Sequence, residues 1–252
     1  MEILSSLFRW MHIVAGILWI GLLYFFNFVN SAFAPTMDGD TKKKVVPELM
    51  PRALFWFRWG AAWTWVTGLL LLLLVFYHGG LVYEGGAGWN AAGMACVALV
   101  FIAPYIYDAI MKSVGKTNVM AAVGVCFVLI AAYLYVMQAV AHFSYRAMLI
   151  HLGGMFGTIM AFNVWFRIWP SQRKIITAIK EGQAPDPAVV GLAGLRSRQN
   201  TYMSLPLVWA MMNQHSTWAA RPNGWWIQLV LIAFAWWVGT MLFKRAPKVK
   251  GF

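Results

Sequence analysis

The chain has 252 residues, 61% of them hydrophobic and 11% charged, with a mean hydropathy of +0.65. A soluble domain normally carries about a quarter charged residues, so a water-soluble globular fold is excluded, and the apolar residues fall in blocks of roughly 20, the length that crosses a ~30 Å hydrocarbon core. The net charge of +12 sits in the loops between those blocks, with no long basic run interleaved with aromatics, which argues against nucleic acid as a partner.

The blocks predict an all-α, polytopic membrane bundle of about seven transmembrane helices, roughly 6–29, 53–77, 90–111, 118–142, 146–168, 200–217 and 224–243, forming one membrane domain over 1–252. The first apolar run, about Leu7 to Val29, ends near Ala32-Phe33-Ala34, which resembles a cleavage site. It exceeds a signal h-region of about 7–15 residues and reads as a retained span. Pro170 is expected to stop the fifth helix, and Ser171-Gln172-Arg173-Lys174-Ile175-Ile176 opens an amphipathic stretch, so 170–198 reads as a cytoplasmic segment lying on the membrane surface. The sixth block is the weakest, because it contains Pro206, Asn213, Gln214 and His215. No internal repeat or low-complexity tract is visible. Cys96 and Cys126 fall inside apolar blocks and suggest no disulfide. The absence of Cys-x-x-Cys-His excludes covalently attached c-type haem.

Lys and Arg set the orientation. The loop 30–52 has Lys42, Lys43, Lys44 and Arg52, the third loop Lys112 and Lys116, and the fifth Arg167, Arg173, Lys174, Lys180, Arg196 and Arg198. The tail adds Lys244, Arg245, Lys248 and Lys250, whereas the opposite side has Arg9, Arg146 and Arg221. The positive-inside rule therefore puts the N-terminus outside and the C-terminus in the cytoplasm.

On that topology His12, His78, His142, His151 and His215 all gather at the outer side. An ionisable group within a membrane span is by default functional, with a partner to be named. Haem b suits such histidines: imidazole supplies the axial nitrogen and the apolar bundle holds the macrocycle. His12 and His151, each on the order of 9 Å below the outer end of its helix, are the axial candidates. His215, beside Asn213 and Gln214, is a ligand or a polar wall of the same site. His78 and His142 end their helices and read as interfacial. Gly153, Gly154 and Gly157 could admit a flat ring, although plain helix packing is the commoner use of such a run. A zinc or copper site is the competing reading, with no carboxylate or thiolate beside the histidines to favour it. Asp108 is expected to pair with a nearby Lys or Arg, Arg58 to snorkel, and Asn163 to hydrogen-bond across helices.

Phe8-Arg9-Trp10-Met11-His12-Ile13-Val14-Ala15-Gly16-Ile17-Leu18-Trp19-Ile20-Gly21 resembles the first helix of the membrane-bound bacterial urate oxidases, or urate hydroxylases. Trp56-Phe57-Arg58-Trp59-Gly60-Ala61-Ala62-Trp63-Thr64-Trp65 is similar to their second helix, and the run His151 to Val164 to their fifth. Pro170-Ser171-Gln172-Arg173-Lys174, Pro185-Asp186-Pro187, Arg196 to Pro206 and Asn213-Gln214-His215 continue the match in order. The resemblance implies a bacterial inner-membrane domain that oxidises urate to 5-hydroxyisourate and passes the electrons to a cytochrome c. His12, His151 and His215 fall on family histidine positions, while His78 and His142 do not. Gln199 stands where a histidine is expected, and the loop 30–52 is shorter than in the full-length enzymes. With no cytochrome c sequence after the last block, a separate cytochrome c is the implied acceptor. The alternative is a non-catalytic subunit, haem-bearing or structural, of a larger electron-transfer complex.

Overall fold

In lipid no water is available to satisfy backbone N–H and C=O groups, so an apolar run must close its hydrogen bonds within itself as helix. The computed structural model, which describes residues 2–83, 88–221 and 223–249, does so almost throughout. Lys250 of the basic tail lies outside the described residues. Helix α1 runs Glu2–Thr36, α2 Gly39–His78, α3 Ala91–Lys112, α4 Val119–Val140, α5 Tyr145–Lys180, α6 Pro187–Met212 and α7 Trp225–Lys248. The isolated bridge between Tyr83 and Phe143 is the one strand-like pairing among the described residues.

Among the described residues six helices, all but α6, are long and apolar enough to cross a membrane. The chain is thus a multi-pass, all-helical membrane protein. Helix α6 falls short because its first half carries Arg196, Arg198, Gln199, Asn200 and Thr201.

Two expectations about this region are corrected. Pro170 does not end the fifth helix, and 170–198 is not one surface segment. Helix α5 passes through a π-helical turn at Val164–Ile168, in which the Trp169 N–H already reaches back to the Val164 carbonyl. Pro170 then enters at the start of the next stretch, Trp169–Lys180, where a missing N–H is tolerated. A turn follows, and the rest of the segment already belongs to α6. That helix ends at Met212, so 213–217 are not helical continuation and His215 sits in a turn.

Helix starts are tied down by side chains. Asn90 and Asn118 accept the Gly93 and Ala121 N–H groups at 2.8 and 3.0 Å, capping α3 and α4. Gln138, on α4, accepts the Trp225 N–H at 2.7 Å and donates to the Arg221 carbonyl at 3.0 Å, which fixes the entry to α7.

The chain divides into two compact units, one built from Leu70–Ile159 and Leu205–Ala235, the other from Glu2–Leu69, Met160–Ser204 and the chain from Trp236 onward. Helix α5 is the most enclosed: 67% of its apolar window is buried, against 11% to 39% for the other five spans. In the first unit Ala147, Met148, Leu149, Leu152 and His151 are buried from it. In the second, Met160, Asn163 and Val164 are. Elsewhere the helices turn large apolar side chains outward, such as Ile17 of α1 and Val128 of α4, as a lipid-facing surface does.

Leu149→Ala is expected to lower stability by about 2–5 kcal/mol through the cavity it leaves, and Val128→Ala to change it little. Unfolding in mixed micelles of increasing denaturing-detergent fraction measures both, and equal losses would contradict the inward placement of α5.

Candidate functional site

The two axial candidates have their imidazoles held in the same way. On α1, His12 donates its Nδ1–H to the Thr64 carbonyl of α2 at 2.9 Å, with the Thr67 hydroxyl at 3.2 Å. That hydroxyl gives its own proton to the Trp63 carbonyl at 2.6 Å, so it too accepts from His12. On α5, His151 donates its Nδ1–H to the Ala147 carbonyl one turn back, at 2.7 Å. A carbonyl can only accept, so in both rings the proton sits on Nδ1 and Nε2 keeps the lone pair. A backbone carbonyl on one nitrogen and a lone pair on the other is how metal-ligating histidines are oriented.

What surrounds the two rings differs. His12 is part-buried and lies against Gly68 of α2, where a Cβ would stand 2.9 Å from its Cε1. Glycine is therefore required for the ring to lie there. His151 is fully buried, and its Nε2 accepts from the Tyr77 hydroxyl at 3.1 Å. Its ring closes a loop of aromatic neighbours: Tyr77 (5.8 Å), Trp89 against Tyr77 (5.5 Å), Tyr83 against Trp89 (5.5 Å), and Phe143 between Tyr83 (5.5 Å) and His151 (4.9 Å). In the loop beyond α2, burial raises the Tyr83 phenol above its ordinary value, which keeps it protonated.

The depth expectation for His12 changes. Because α1 begins at Glu2, His12 stands about 15 Å along its helix by the 1.5 Å rise, whereas His151, in a helix starting at Tyr145, stands about 9 Å along. His12 belongs to the second unit, and His151 and His215 to the first. His215 is exposed and oriented the opposite way: the Arg146 guanidinium donates to its Nδ1 at 3.0 Å, so its proton is on Nε2. His78 is exposed at the end of α2. His142 is exposed in the turn before α5 with φ of 57°, a left-handed position that His adopts more readily than most residues.

The glycine face of α5 is filled by other helices. A Cβ at Gly153 would meet Met211 and Ala210, one at Gly157 would meet Leu207, and one at Gly154 would meet Val100. Helix packing, not a slot for a ring, explains that run. Asp108 is buried and salt-bridged to Lys112 at 2.8 Å, as the sequence predicts. The Arg58 guanidinium lies 4.0 Å over Trp169, with Trp165 and Phe55 at 5.8 and 5.7 Å. Among the described residues no three His, Cys, Asp or Glu side chains converge as a metal cluster.

The chain matches the family model described as urate oxidase N-terminal over residues 1–250. It belongs to that family. No curated protein and no solved structure matches it. The matched region contains His12, His151 and His215.

Gly68→Ala is expected to push the His12 ring off the Thr64 carbonyl and lower stability by about 1–2 kcal/mol. Gly21→Ala, on α1 with nothing within 4 Å of the added Cβ, should be neutral or slightly stabilising. Thermal unfolding of the two variants in detergent compares them directly, and equal values would contradict the packing of His12 against Gly68.

Proposed function

We propose that the chain is the membrane part of a urate hydroxylase-type oxidoreductase in a bacterial cytoplasmic membrane, with its N-terminus outside and its C-terminus in the cytoplasm. It carries haem b on His12 and His151 and passes electrons to a separate cytochrome c. The single observation that carries the haem assignment is the shared tautomer of His12 and His151, each with Nδ1–H on a backbone carbonyl and the proton therefore absent from Nε2. Family membership supports the urate chemistry. In the overall reaction urate and one water give 5-hydroxyisourate, two protons and two electrons, and two molecules of ferricytochrome c each accept one electron. A bound haem would supply one-electron steps between a two-electron donor and that one-electron acceptor.

The chain's own residues have defined tasks in this reading. The Thr64 and Ala147 carbonyls hold the proton on Nδ1 of each ring, so that Nε2 would be the nitrogen offered to a haem, with its basicity raised. Gly68 lets the His12 ring take its place. The Tyr77 hydroxyl donates to His151 Nε2, and a haem held by His151 would take that nitrogen in place of this hydrogen bond. His215, tied to Arg146, contributes a polar group rather than an axial nitrogen.

A second reading, a haem-bearing relay or structural subunit without catalysis, is favoured by the broad apolar surfaces of α1 and α4, which could pack against other membrane subunits as well as lipid. The dithionite-reduced minus oxidised spectrum of the purified chain, with a pyridine haemochrome assay, tests the proposal. A b-type α-band is expected in the wild type and a loss of it in both His12→Ala and His151→Ala. A wild-type protein without the band would overturn the haem assignment and leave a structural subunit.

A further inference from the structure

The apolar run of α5 lies between two arginines, Arg146 and Arg167, and covers 147–166. At the helical rise of 1.5 Å per residue it spans about 30 Å, the thickness of the hydrocarbon core. The helix itself continues to Lys180, so its last turns leave the core. Aromatic residues at this end mark the same depth. Trp59 of α2 packs on Trp165 at 5.5 Å, and the Arg58 guanidinium lies over Trp169 at 4.0 Å. Tryptophans in such a belt sit at the level of the headgroups.

Beyond the belt, the end of α5 builds a charged cleft. Arg173, Thr177 and Glu181 follow Trp169 at intervals of four residues and therefore share one face of the helix. Gly182, with φ of 75°, ends the helix in a Schellman turn. Its N–H donates to the Ile179 carbonyl at 3.1 Å, and the Gln183 N–H donates to the Ala178 carbonyl at 2.8 Å. That reversal brings Gln183 back toward the last turn. Arg173, Lys174, Thr177, Ala178, Glu181 and Gln183 thereby line one cleft of about 310 Å³. Lys43 of α2 stands beside the turn, its Nζ 3.0 Å from where a Cβ on Gly182 would lie. All of these residues belong to one unit.

The cations of this cleft have no protein anion to neutralise them. The side-chain ion pairs among the described residues are Arg52 with Glu48 and Lys112 with Asp108, and neither reaches here. Arg173, Lys174 and Lys43 thus set three positive charges against the single carboxylate of Glu181. Helical side chains lean toward the N-terminal end of their helix, which for α5 is back toward the membrane. Arg173 stands about 10 Å past Phe166 by helical rise, and the headgroup layer is about 5–8 Å deep on each side. Its guanidinium and the Lys174 ammonium therefore reach back to the phosphates, with Thr177 and Gln183 just above them.

We propose that this cleft binds the headgroup of an anionic phospholipid, its phosphodiester on Arg173 and Lys174 and its hydroxyls toward Thr177, Gln183 and Glu181. The unpaired cations select the phosphate. The Glu181 carboxylate accepts from a hydroxyl and repels a second carboxylate, so a glycerol headgroup fits and a serine headgroup does not. The site lies on the side of the basic loops, read above as cytoplasmic, where a leaflet carries its negative surface potential. It is independent of the redox reading.

The test is native mass spectrometry of the full chain in detergent, with phosphatidylglycerol, phosphatidylserine, phosphatidylethanolamine or inorganic phosphate added singly at matched concentration. The wild type is expected to hold phosphatidylglycerol most tightly. Its dissociation constant should rise about 10-fold or more in Arg173→Gln/Lys174→Gln, the order expected for two cations lost at a membrane surface. Lys116→Gln/Lys248→Gln, which removes the same charge elsewhere, should bind as the wild type does, and Glu181→Gln should bring phosphatidylserine up toward phosphatidylglycerol. All five positions are exposed, so the variants keep the packing of the bundle. An equal loss in the two double variants, or equal binding of phosphatidylglycerol and phosphatidylserine by the wild type, would overturn the site in favour of diffuse surface charge. A tighter hold on phosphatidylethanolamine, or on inorganic phosphate, would overturn the anionic lipid as its occupant.

Discussion

Inside a bilayer a polar atom without a partner has no water to fall back on, and that constraint shapes nearly every feature of this protein. The hydroxyls of Thr64, Thr67 and Thr158 each turn back onto a carbonyl one turn earlier in their own helix, at 2.6 to 2.7 Å. The imidazoles of His12 and His151 do the equivalent with Nδ1–H. The consequence is chemical. Once Nδ1 is committed to a carbonyl, the proton of a neutral ring is fixed there, and Nε2 is left as an acceptor, which in His151 takes the Tyr77 hydroxyl. Arg58 meets the same constraint with aromatic faces in place of an anion.

The few atoms that escape this satisfaction are informative for the same reason. Along most of α5 the buried surface is apolar or paired, so Asn163 Oδ1 stands apart from its surroundings. The amide has committed its nitrogen to Asn200, and nothing nearby donates to its oxygen. Polar groups held in this half-satisfied state are retained in proteins where something other than packing uses them.

Much of the fold was legible in the sequence, because block length and the bilayer thickness constrain each other directly. The first five spans and the last were found within a few residues, apart from extensions at α1, α2 and α5 where polar ends continue the helix beyond the apolar run. What could not be read was local backbone chemistry. Pro170 looks like a stop, but the π-helical turn before it shifts the ladder so that its missing N–H is harmless. His142 looks like the last residue of a helix and is in fact a left-handed turn. At the site, residue type and family position singled out His12 and His151, yet the orientation of their rings depends on Thr64, Gly68, Tyr77 and Ala147, none of which is distinctive as a letter in an apolar run. His215 carried the same signal as the other two, and only its contact with Arg146 separates it from them.

Under the proposed function, this membrane chain itself would take two electrons from urate and deliver them outward one at a time. The most direct measurement is anaerobic reduction of ferricytochrome c by the purified, haem-loaded chain on addition of urate in oxygen-18 water. The account predicts two molecules of cytochrome c reduced per urate consumed, with the label appearing in 5-hydroxyisourate. Intact haem with no urate-dependent reduction of cytochrome c would contradict it, and the chain would then be a relay or structural member of the family rather than its catalyst.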